Sequence, residues 1–327
     1  MIVLVTLMFT TLALIAFVEK ASDDLIVEAR QAAAVRLRQE AYSALEVTLG
    51  VLEDFRQVNS ALRSPAEGWL DPLGFAGWEP SNGREVEITF EDESGKLSLP
   101  HVEAAKMVNL FKGWGLAQTE AERLTDALMV WMKKDHVSAS ARLPDYDQGP
   151  LPYAPPLRSL RSYSELAAID YARQMFYDEK GQPNELWHRF VGAFSLLDYK
   201  ETNLNGLNGN LLYDLGVIDV GQQRQLDDYR NGTGGRTRQG AGFFESTADA
   251  QGILGAQTSL AGYGTQISAL RINLTVKEGK TNFRLSVVVA PQGGARLVTQ
   301  TASDPGTTTT TKQASTPTLP ANSGNQS

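Results

Sequence analysis

The sequence predicts an α+β fold in which a long N-terminal helix packs on an antiparallel sheet and a large all-α domain is inserted between the strands. Three observations predict this fold. A helical pattern continues without a proline over residues 1–64. Alternating apolar and polar residues predict strands within residues 65–100 and again within residues 263–297. Between them, residues 101–262 carry short helical patterns separated by Gly, Asn and Pro turns.

The composition is that of a globular protein and excludes several classes of function. Of the 327 residues, 42% are apolar and 21% are charged, as in folded domains. The net charge is -8 and no concentrated basic face is visible, so nucleic acid is not an expected partner. The chain has no cysteine, which excludes disulfides, thiolate catalysis and cysteine-ligated metal centres.

Residues 1–18 (MIVLVTLMFTTLALIAFV) carry no charge and predict a transmembrane segment. As a helix they would reach about 27 Å, close to the hydrocarbon thickness of a bilayer. A cleaved signal peptide is the alternative, but the segment lacks a basic start and a small-residue cleavage site.

The helical pattern continues beyond Val18 through residues 19–64, where apolar residues recur about every 3.6 positions. Gly50 is tolerated in a long helix. A coiled coil is the alternative, but the apolar positions drift from strict heptads. The sequence therefore predicts one helix of about 60 residues, which is apolar on every side at first and amphipathic afterwards. The residues assigned to this membrane and assembly helix are Leu4, Leu7, Phe9, Leu12, Leu14, Ile15, Phe17, Ile26, Leu37 and Leu45.

Residues 65–100 predict a loop followed by the first strands. Val86, Ile88 and Phe90 alternate with polar residues, and Ser94-Gly95 predicts a turn into a short second strand. Two closing strands are expected within residues 263–297, with apolar faces formed by Leu270, Ile272, Leu274 and Val276 and by Phe283, Leu285, Val287 and Val289. We expect one antiparallel sheet covered by the long helix, although separate sheets would show the same alternation.

The helical domain and the tail complete the organisation. Capping patterns at Thr119–Glu122 and at Ser162–Glu165 predict two helix starts within residues 101–262. Residues 298–327 are rich in Thr, Pro and Ser and nearly free of apolar residues, so we predict a disordered tail.

Few residues indicate a chemical site. Asp135, Asp145 and Asp147 could supply oxygen ligands for calcium, and a solvated acidic loop is the alternative because the EF-hand pattern is incomplete. The three histidines lack the spacing of a zinc site. The glycine-rich residues 232–242 lack the Lys-Ser/Thr ending of a phosphate loop and predict a flexible connection. We therefore expect no enzymatic activity.

Four segments in a fixed order carry a family resemblance. They are DESGKLSL (92–99), LMVWMKKDH (128–136), SYSELAAID (162–170) and TNLNGLNGNLLYDLG (202–216). With the long apolar-to-amphipathic helix, this order resembles the general secretion pathway protein K family, the K-type minor pseudopilins of bacterial type II secretion systems. The resemblance covers residues 1–290.

The resemblance implies a pilin-like fold with a large α-domain inserted between its strands. It implies a structural role at the tip of the periplasmic pseudopilus, where such proteins start or cap assembly together with I- and J-type minor pseudopilins and other secretion-system components. It also implies a single-pass anchor in the bacterial inner membrane, a body in the periplasm, and calcium binding in the α-domain. Family members are made with a short basic leader, so we expect Met1 to be an internal start or to lie a few residues inside the mature chain.

The alternative function is a membrane-tethered periplasmic enzyme or ligand-binding protein that uses the helical domain. It predicts a deep pocket with convergent polar groups.

Overall fold

The computed structural model describes residues 2–140, 146, 153–207, 209–279, 281–290 and 300–303. The helices are α1 Ile2–Asn59, α2 Pro72–Phe75, α3 Ala104–Gly113, α4 Gln118–Met132, α5 Asp170–Phe176, α6 Glu185–Ala193, α7 Leu211–Asp214, α8 Val220–Asn231 and α9 Thr247–Leu254. The strands are β1 Glu85–Asp92, β2 Leu97–Ser98, β3 Phe194–Ser195, β4 Thr202–Asn203, β5 Tyr263–Gly264, β6 Leu270–Glu278, β7 Thr281–Val289 and β8 Gln300–Ser303.

The first helix, α1, runs over 58 residues without a break. Its side chains are described at residues 14, 17–24, 28 and 31–59. No helix among the described residues is long and apolar enough to cross a membrane. Most of the predicted transmembrane segment, residues 1–18, lies outside the described side chains, so that segment stays a prediction.

The main sheet is antiparallel and has the strand order β1-β6-β7-β8. Phe90 of β1 lies opposite Ile272 of β6, which lies opposite Val287 of β7. The apolar face predicted from the alternation is buried against one stripe of α1. The residues of α1 in this core are Leu37, Ala41, Ala44, Leu45 and Leu52. The predicted α+β class is confirmed, and strands from both ends of the chain share one sheet.

The predicted turn at Ser94-Gly95 and the short second strand are present, but that strand does not join the main sheet. Glu93–Gly95 form a 3-10 turn, and the Ser94 N–H donates to the Ala269 carbonyl, 3.2 Å away. This turn directs the chain away from β1. Strand β2 instead pairs in parallel with β3, with Leu97 opposite Phe194.

The predicted disordered tail also needs a correction at Gln300–Ser303. These residues form β8, which pairs antiparallel with β7. Pairing at a sheet edge uses backbone hydrogen bonds, which polar residues supply as well as apolar ones. The rest of that tail, residues 304–327, lies outside the described residues.

The segment between β1 and β6 folds around its own apolar core, formed mainly by α3 to α9. Phe111, Leu124, Phe176 and Phe190 are fully buried there. The helix predicted to start at Thr119 begins one residue earlier, at Gln118. The capping contact is made by the Ala117 N–H, which donates to the Glu120 side chain. The Ser162 prediction is confirmed as a start, but Tyr163–Ala168 form a 3-10 helix before α5 begins at Asp170.

Candidate functional site at the junction of the sheet and the helical domain

Two of the segments noted in the sequence, residues 92–96 and 202–206, lie against each other where the helical domain meets the sheet. The first follows β1, and the second comprises β4 and the 3-10 turn Leu204–Gly206. We call this contact the junction.

The Asn203 side chain joins three parts of the chain at the junction. Its Nδ2 donates to the Arg63 carbonyl just after α1 (3.0 Å) and to Oδ2 of Asp92 at the end of β1 (2.6 Å). The other Asp92 oxygen accepts from the backbone N–H and the hydroxyl of Ser94, at 2.9 and 2.5 Å. A single amide therefore connects the end of α1, the end of β1 and the helical domain.

The side chain of Asn205, two residues further on, also joins separate parts of the chain. Its Nδ2 donates to the carbonyls of Phe244 and Thr265, and its Oδ1 accepts the Phe244 N–H at 2.7 Å. Thr265 lies shortly before β6, so this amide attaches the returning chain. Because Asn205 is buried, each of its hydrogen bonds satisfies a polar group that would otherwise lack a partner.

Burial raises the pKa of the Asp92 carboxyl to about 6, although the hydrogen bonds from Ser94 and Asn203 act in the opposite direction. Desolvation is the largest cause because the carboxyl lies between the sheet and the helical domain. The junction thus contains an acid that titrates above the ordinary range of aspartate.

Gly95 and Gly206 allow the two segments to approach. A Cβ placed on Gly95 would lie 1.8 Å from the Gly206 carbonyl oxygen, and a Cβ on Gly206 would lie 1.8 Å from Oδ2 of Asp92. No side chain fits at either position. Both glycines are therefore required by close approach of the backbones and not by a left-handed conformation.

Four charged residues form a compact network beside these contacts. Glu93 is buried, and its Oε1 accepts from Nε of Arg271 on β6 at 2.6 Å. Lys96 lies 2.6 Å from Glu91 and 3.3 Å from Glu93. Burial opposes ionisation of Glu93, but Lys96 and Arg271 outweigh it and hold the pKa of Glu93 below its usual value. The network connects β1, the turn after it and β6.

Tyr199 and Thr202 complete the junction from the helical domain. The Tyr199 hydroxyl lies within hydrogen-bond distance of the carbonyls of Glu93 (2.6 Å) and Lys96 (2.9 Å), which share its one proton, and the Thr202 hydroxyl donates to the Lys96 carbonyl (3.2 Å). Together the amides, glycines and charges fix the orientation of the helical domain on the sheet. This arrangement can hold the helical domain in position. The polar groups of the junction are hydrogen-bonded or ion-paired with one another.

A second polar anchor fixes the loop between α1 and β1. Glu40, buried on α1, accepts from Arg84 at 2.8 Å and from the Ser81 N–H at 2.7 Å. Arg84 also lies 3.5 Å from Glu278 at the end of β6. A buried ion pair with additional hydrogen bonds is the arrangement in which removal of one partner is most costly.

The predicted calcium ligands are only partly described. Asp135 is exposed, whereas Asp145 and Asp147 lie outside the described residues. Among the residues that are described, no group of three or more His, Cys, Asp or Glu side chains is placed to hold a metal ion. The calcium site therefore stays a prediction.

Near Asp135, the buried Asp126 organises the segment that follows α4. It accepts from His136 at 2.7 Å and from the Ser140 N–H at 2.6 Å. Burial would raise the pKa of Asp126, but these hydrogen bonds hold it below its usual value. His136 thus serves as a structural partner of a core carboxylate.

The predicted membrane and assembly residues of α1 differ in exposure along the helix. Leu37 and Leu45 are buried against the sheet, whereas Leu14 and Phe17 are 63% and 70% exposed. The side chains of Leu4, Leu7, Phe9, Leu12, Ile15 and Ile26 lie outside the described part. The two buried residues belong to the fold, and among the predicted positions with described side chains Leu14 and Phe17 are open to other molecules.

The glycine-rich residues 232–242, predicted to form a flexible connection, pack against Tyr229. Arg236 stacks over the Tyr229 ring at 4.4 Å, and Tyr229 stacks on Phe244 at 4.7 Å. A Cβ on Gly242 would lie 2.7 Å from the Tyr229 ring, so the loop packs closely on it.

An open cavity of about 860 Å³ bears on the alternative function. Asp170, Arg173 and Asp178 line it. Asp178 accepts the backbone N–H groups of Lys180 and Gln182 and therefore closes a turn. Asp170 also makes a local contact, accepting from the Gln174 amide at 3.4 Å. The ligand-binding alternative stays a prediction.

In a comparison with known families, the segment that begins at the junction matches a family model. Residues 93–179 match the family model of the type II secretion system (T2SS), protein K. The resemblance to protein K is confirmed. The protein K match begins at Glu93 and includes β2 and helices α3 to α5, whereas α1 and the strands β6 and β7 lie outside it.

The fold as a whole is similar to a solved structure, the crystal structure of the GspK-GspI-GspJ complex from the enterotoxigenic Escherichia coli type 2 secretion system. The TM-score is 0.58 at 12% sequence identity, over 88% of this chain and 99% of the chain in that complex. At this identity the likeness shows the fold. A comparison with curated protein sequences gives no match.

Sequence reasoning missed several residues of the junction. Asn203, Asn205 and Gly206 were noted only as part of a motif, and Arg271 and Tyr199 were not noted at all. One signal was available for Glu40, since a glutamate between Leu37 and Ala41 falls at the apolar edge of the helix.

Proposed function

We propose that this chain is a minor pseudopilin of a type II secretion system that assembles with I- and J-type minor pseudopilins. The protein K match over residues 93–179 is the observation that carries this proposal. The fold supports it, because a helical domain is inserted into a sheet that packs on a long N-terminal helix, and the similar solved structure is a GspK-GspI-GspJ complex. The role is structural and not enzymatic.

We further propose that the chain occupies the tip of the pseudopilus, where it starts or caps assembly. Subunits that add through a long helix stack along one axis. The inserted domain is bulky, and the junction fixes it to the sheet through Asn203, Asn205 and the Glu93 network. Such a domain would obstruct a subunit above it, which favours the terminal position.

The proposed location is the inner membrane, with one span and the body in the periplasm. The uncharged residues 1–18 support the span, and α1 continues from them into the sheet core without a break.

Calcium binding through Asp135, Asp145 and Asp147 is proposed as a separate property of the helical domain. Titration calorimetry with calcium tests it, and an Asp135→Asn variant should bind more weakly.

Gel filtration tests the proposed function. The full chain in detergent is mixed with the I- and J-type minor pseudopilins of the same secretion system. A single peak that contains all three proteins is expected, and each pair gives the matched control. Three separate peaks would contradict the proposal.

A further inference from the structure

Three large apolar side chains are exposed on the end of α1 and on the loop that packs against its Phe55. Val58 on α1 is 83% exposed, and Leu70 and Phe75 in the loop that follows are 65% and 63% exposed. The ring of Phe55, one turn before Val58, packs edge-on against Phe75 with 5.3 Å between centroids. We call Val58, Leu70 and Phe75 the loop patch.

The exposure of the loop patch comes from a fixed loop conformation. Trp69 is fully buried next to Leu70, and its indole donates to Glu67 at 3.1 Å and meets Phe90 edge-on at 5.2 Å. Asp71 caps α2 by accepting the Gly74 N–H at 3.0 Å. The loop therefore holds Leu70 and Phe75 outward in a defined geometry, which reduces the entropy lost on binding.

The residues around the patch carry acidic side chains that no basic side chain balances. Every basic residue from 53 to 84 is ion-paired within the chain: Arg56 with Glu53, Arg63 with Glu67, and Arg84 with Glu40. The exposed acids that adjoin the patch, Asp54 and Asp71, have no ion pair among the described residues. Asp54 lies on the same face of α1 as Val58, four residues later. The patch thus has an apolar centre and an acidic rim.

We infer that the loop patch is a docking surface for a protein partner that presents apolar side chains flanked by lysine or arginine. This inference rests on the proposed function and names the chemistry of one of its partner contacts. An apolar centre supplies the affinity, and a rim of uncompensated acids selects a basic counterpart over an acidic one. Exposed apolar side chains clustered on a rigid loop are typical of interaction sites, whereas scattered ones are not.

Binding of the full chain to the I- and J-type minor pseudopilins tests the inference. The double variant Leu70→Ser/Phe75→Ser should weaken the complex at least about tenfold, because aromatic and aliphatic side chains at the centre of an interface dominate affinity. The matched control is Val137→Ser/Val220→Ser, which removes two side chains in the helical domain that are 89% and 73% exposed. The control should change affinity by less than about twofold.

A second variant tests the charge of the rim. Asp54→Lys should also weaken the complex, and the loss should shrink as salt is added, since exposed charges are screened. Thermal unfolding should show that every variant is folded at the temperature of the binding measurement.

The outcomes separate two claims. A wild-type complex that the patch and rim variants leave unchanged would overturn this inference alone. If the wild-type chain forms no complex, the proposed function fails and this inference fails with it. Patch-dependent self-association, or patch-dependent binding to lipid vesicles without an effect on the complex, would assign the surface to another occupant and overturn the inference.

Discussion

The Gly95 and Gly206 backbones cross at the junction, with the position of a Gly95 Cβ only 1.8 Å from the Gly206 carbonyl oxygen. One glycine lies just after the first strand of the sheet, and the other lies in the inserted helical domain. The crossing brings Asn203 within 2.6 Å of Asp92 and places Tyr199 over the same turn. The way the helical domain sits on the sheet therefore depends on a few short contacts.

Substitution of Gly206 by alanine should destabilise the protein by about 3 kcal/mol, because its methyl group would overlap Oδ2 of Asp92. Urea unfolding followed by circular dichroism measures the loss. Gly252→Ala in α9 is the matched control, since nothing lies within 4 Å of its Cβ position. The control should be neutral or slightly stabilising, and equal unfolding midpoints for Gly206→Ala and Gly252→Ala would contradict the close crossing.

Asp92 should make stability depend on pH in the opposite direction to most carboxylates. Its pKa is about 6 in the folded protein against 3.8 for an ordinary aspartate, so its contribution is complete below about pH 4 and is lost as the pH rises through 6. The loss is at most about 3 kcal/mol. Asp92→Asn keeps a neutral group, so the variant should gain stability relative to wild type between pH 4 and pH 7. A difference that stays constant across this range would refute the raised pKa.

Arg271→Met should be strongly destabilising because it leaves the Glu93 carboxylate buried with one partner fewer. The expected loss is about 3 kcal/mol, and adding Glu93→Gln to the variant should restore part of it. Chemical unfolding of both variants measures this. The control is Lys277→Met, whose pair with Glu87 at 3.6 Å is exposed on both sides and should contribute less than about 1 kcal/mol. Equal losses for Arg271→Met and Lys277→Met would show that burial of the network is unimportant.

Glu40→Leu should loosen the connection between α1 and the loop before β1. The substitution leaves the Arg84 guanidinium and the Ser81 N–H without their carboxylate, at a cost of about 3 kcal/mol. Hydrogen exchange should increase first at residues 81–84. Glu53→Gln removes an exposed pair on the same helix and should leave exchange unchanged. Unaltered protection at 81–84 in Glu40→Leu would contradict the anchoring role.

The regular elements could be predicted because their signals are local and repeated. Alternation at Ile88, Phe90, Ile272 and Leu274 specified a face, and β1 and β6 share that face. The absence of proline and the stripe through Leu37 and Leu45 predicted one long helix, and α1 runs without a break. Each of these patterns spans several residues, so a single exception does not remove it.

The junction could not be predicted in this way, because its contacts join residues about 100 positions apart. Leu97 was expected in the main sheet, yet a strand of two residues has no periodicity to show its partner, and Leu97 lies opposite Phe194 instead. The DESGK and TNLNG segments were noted as features of a family, but no spacing shows that Asn203 reaches Asp92. Arg271 occupies an ordinary polar position of an alternating strand, and only the fold reveals its partner.

Gold labelling of isolated pseudopili tests the central claim most directly. The chain has no cysteine, so Val220→Cys introduces one exposed attachment point on the helical domain. A terminal location predicts label at one end of each pseudopilus. Label spaced along the length would contradict it, since the inserted domain would then be compatible with subunits stacked above it.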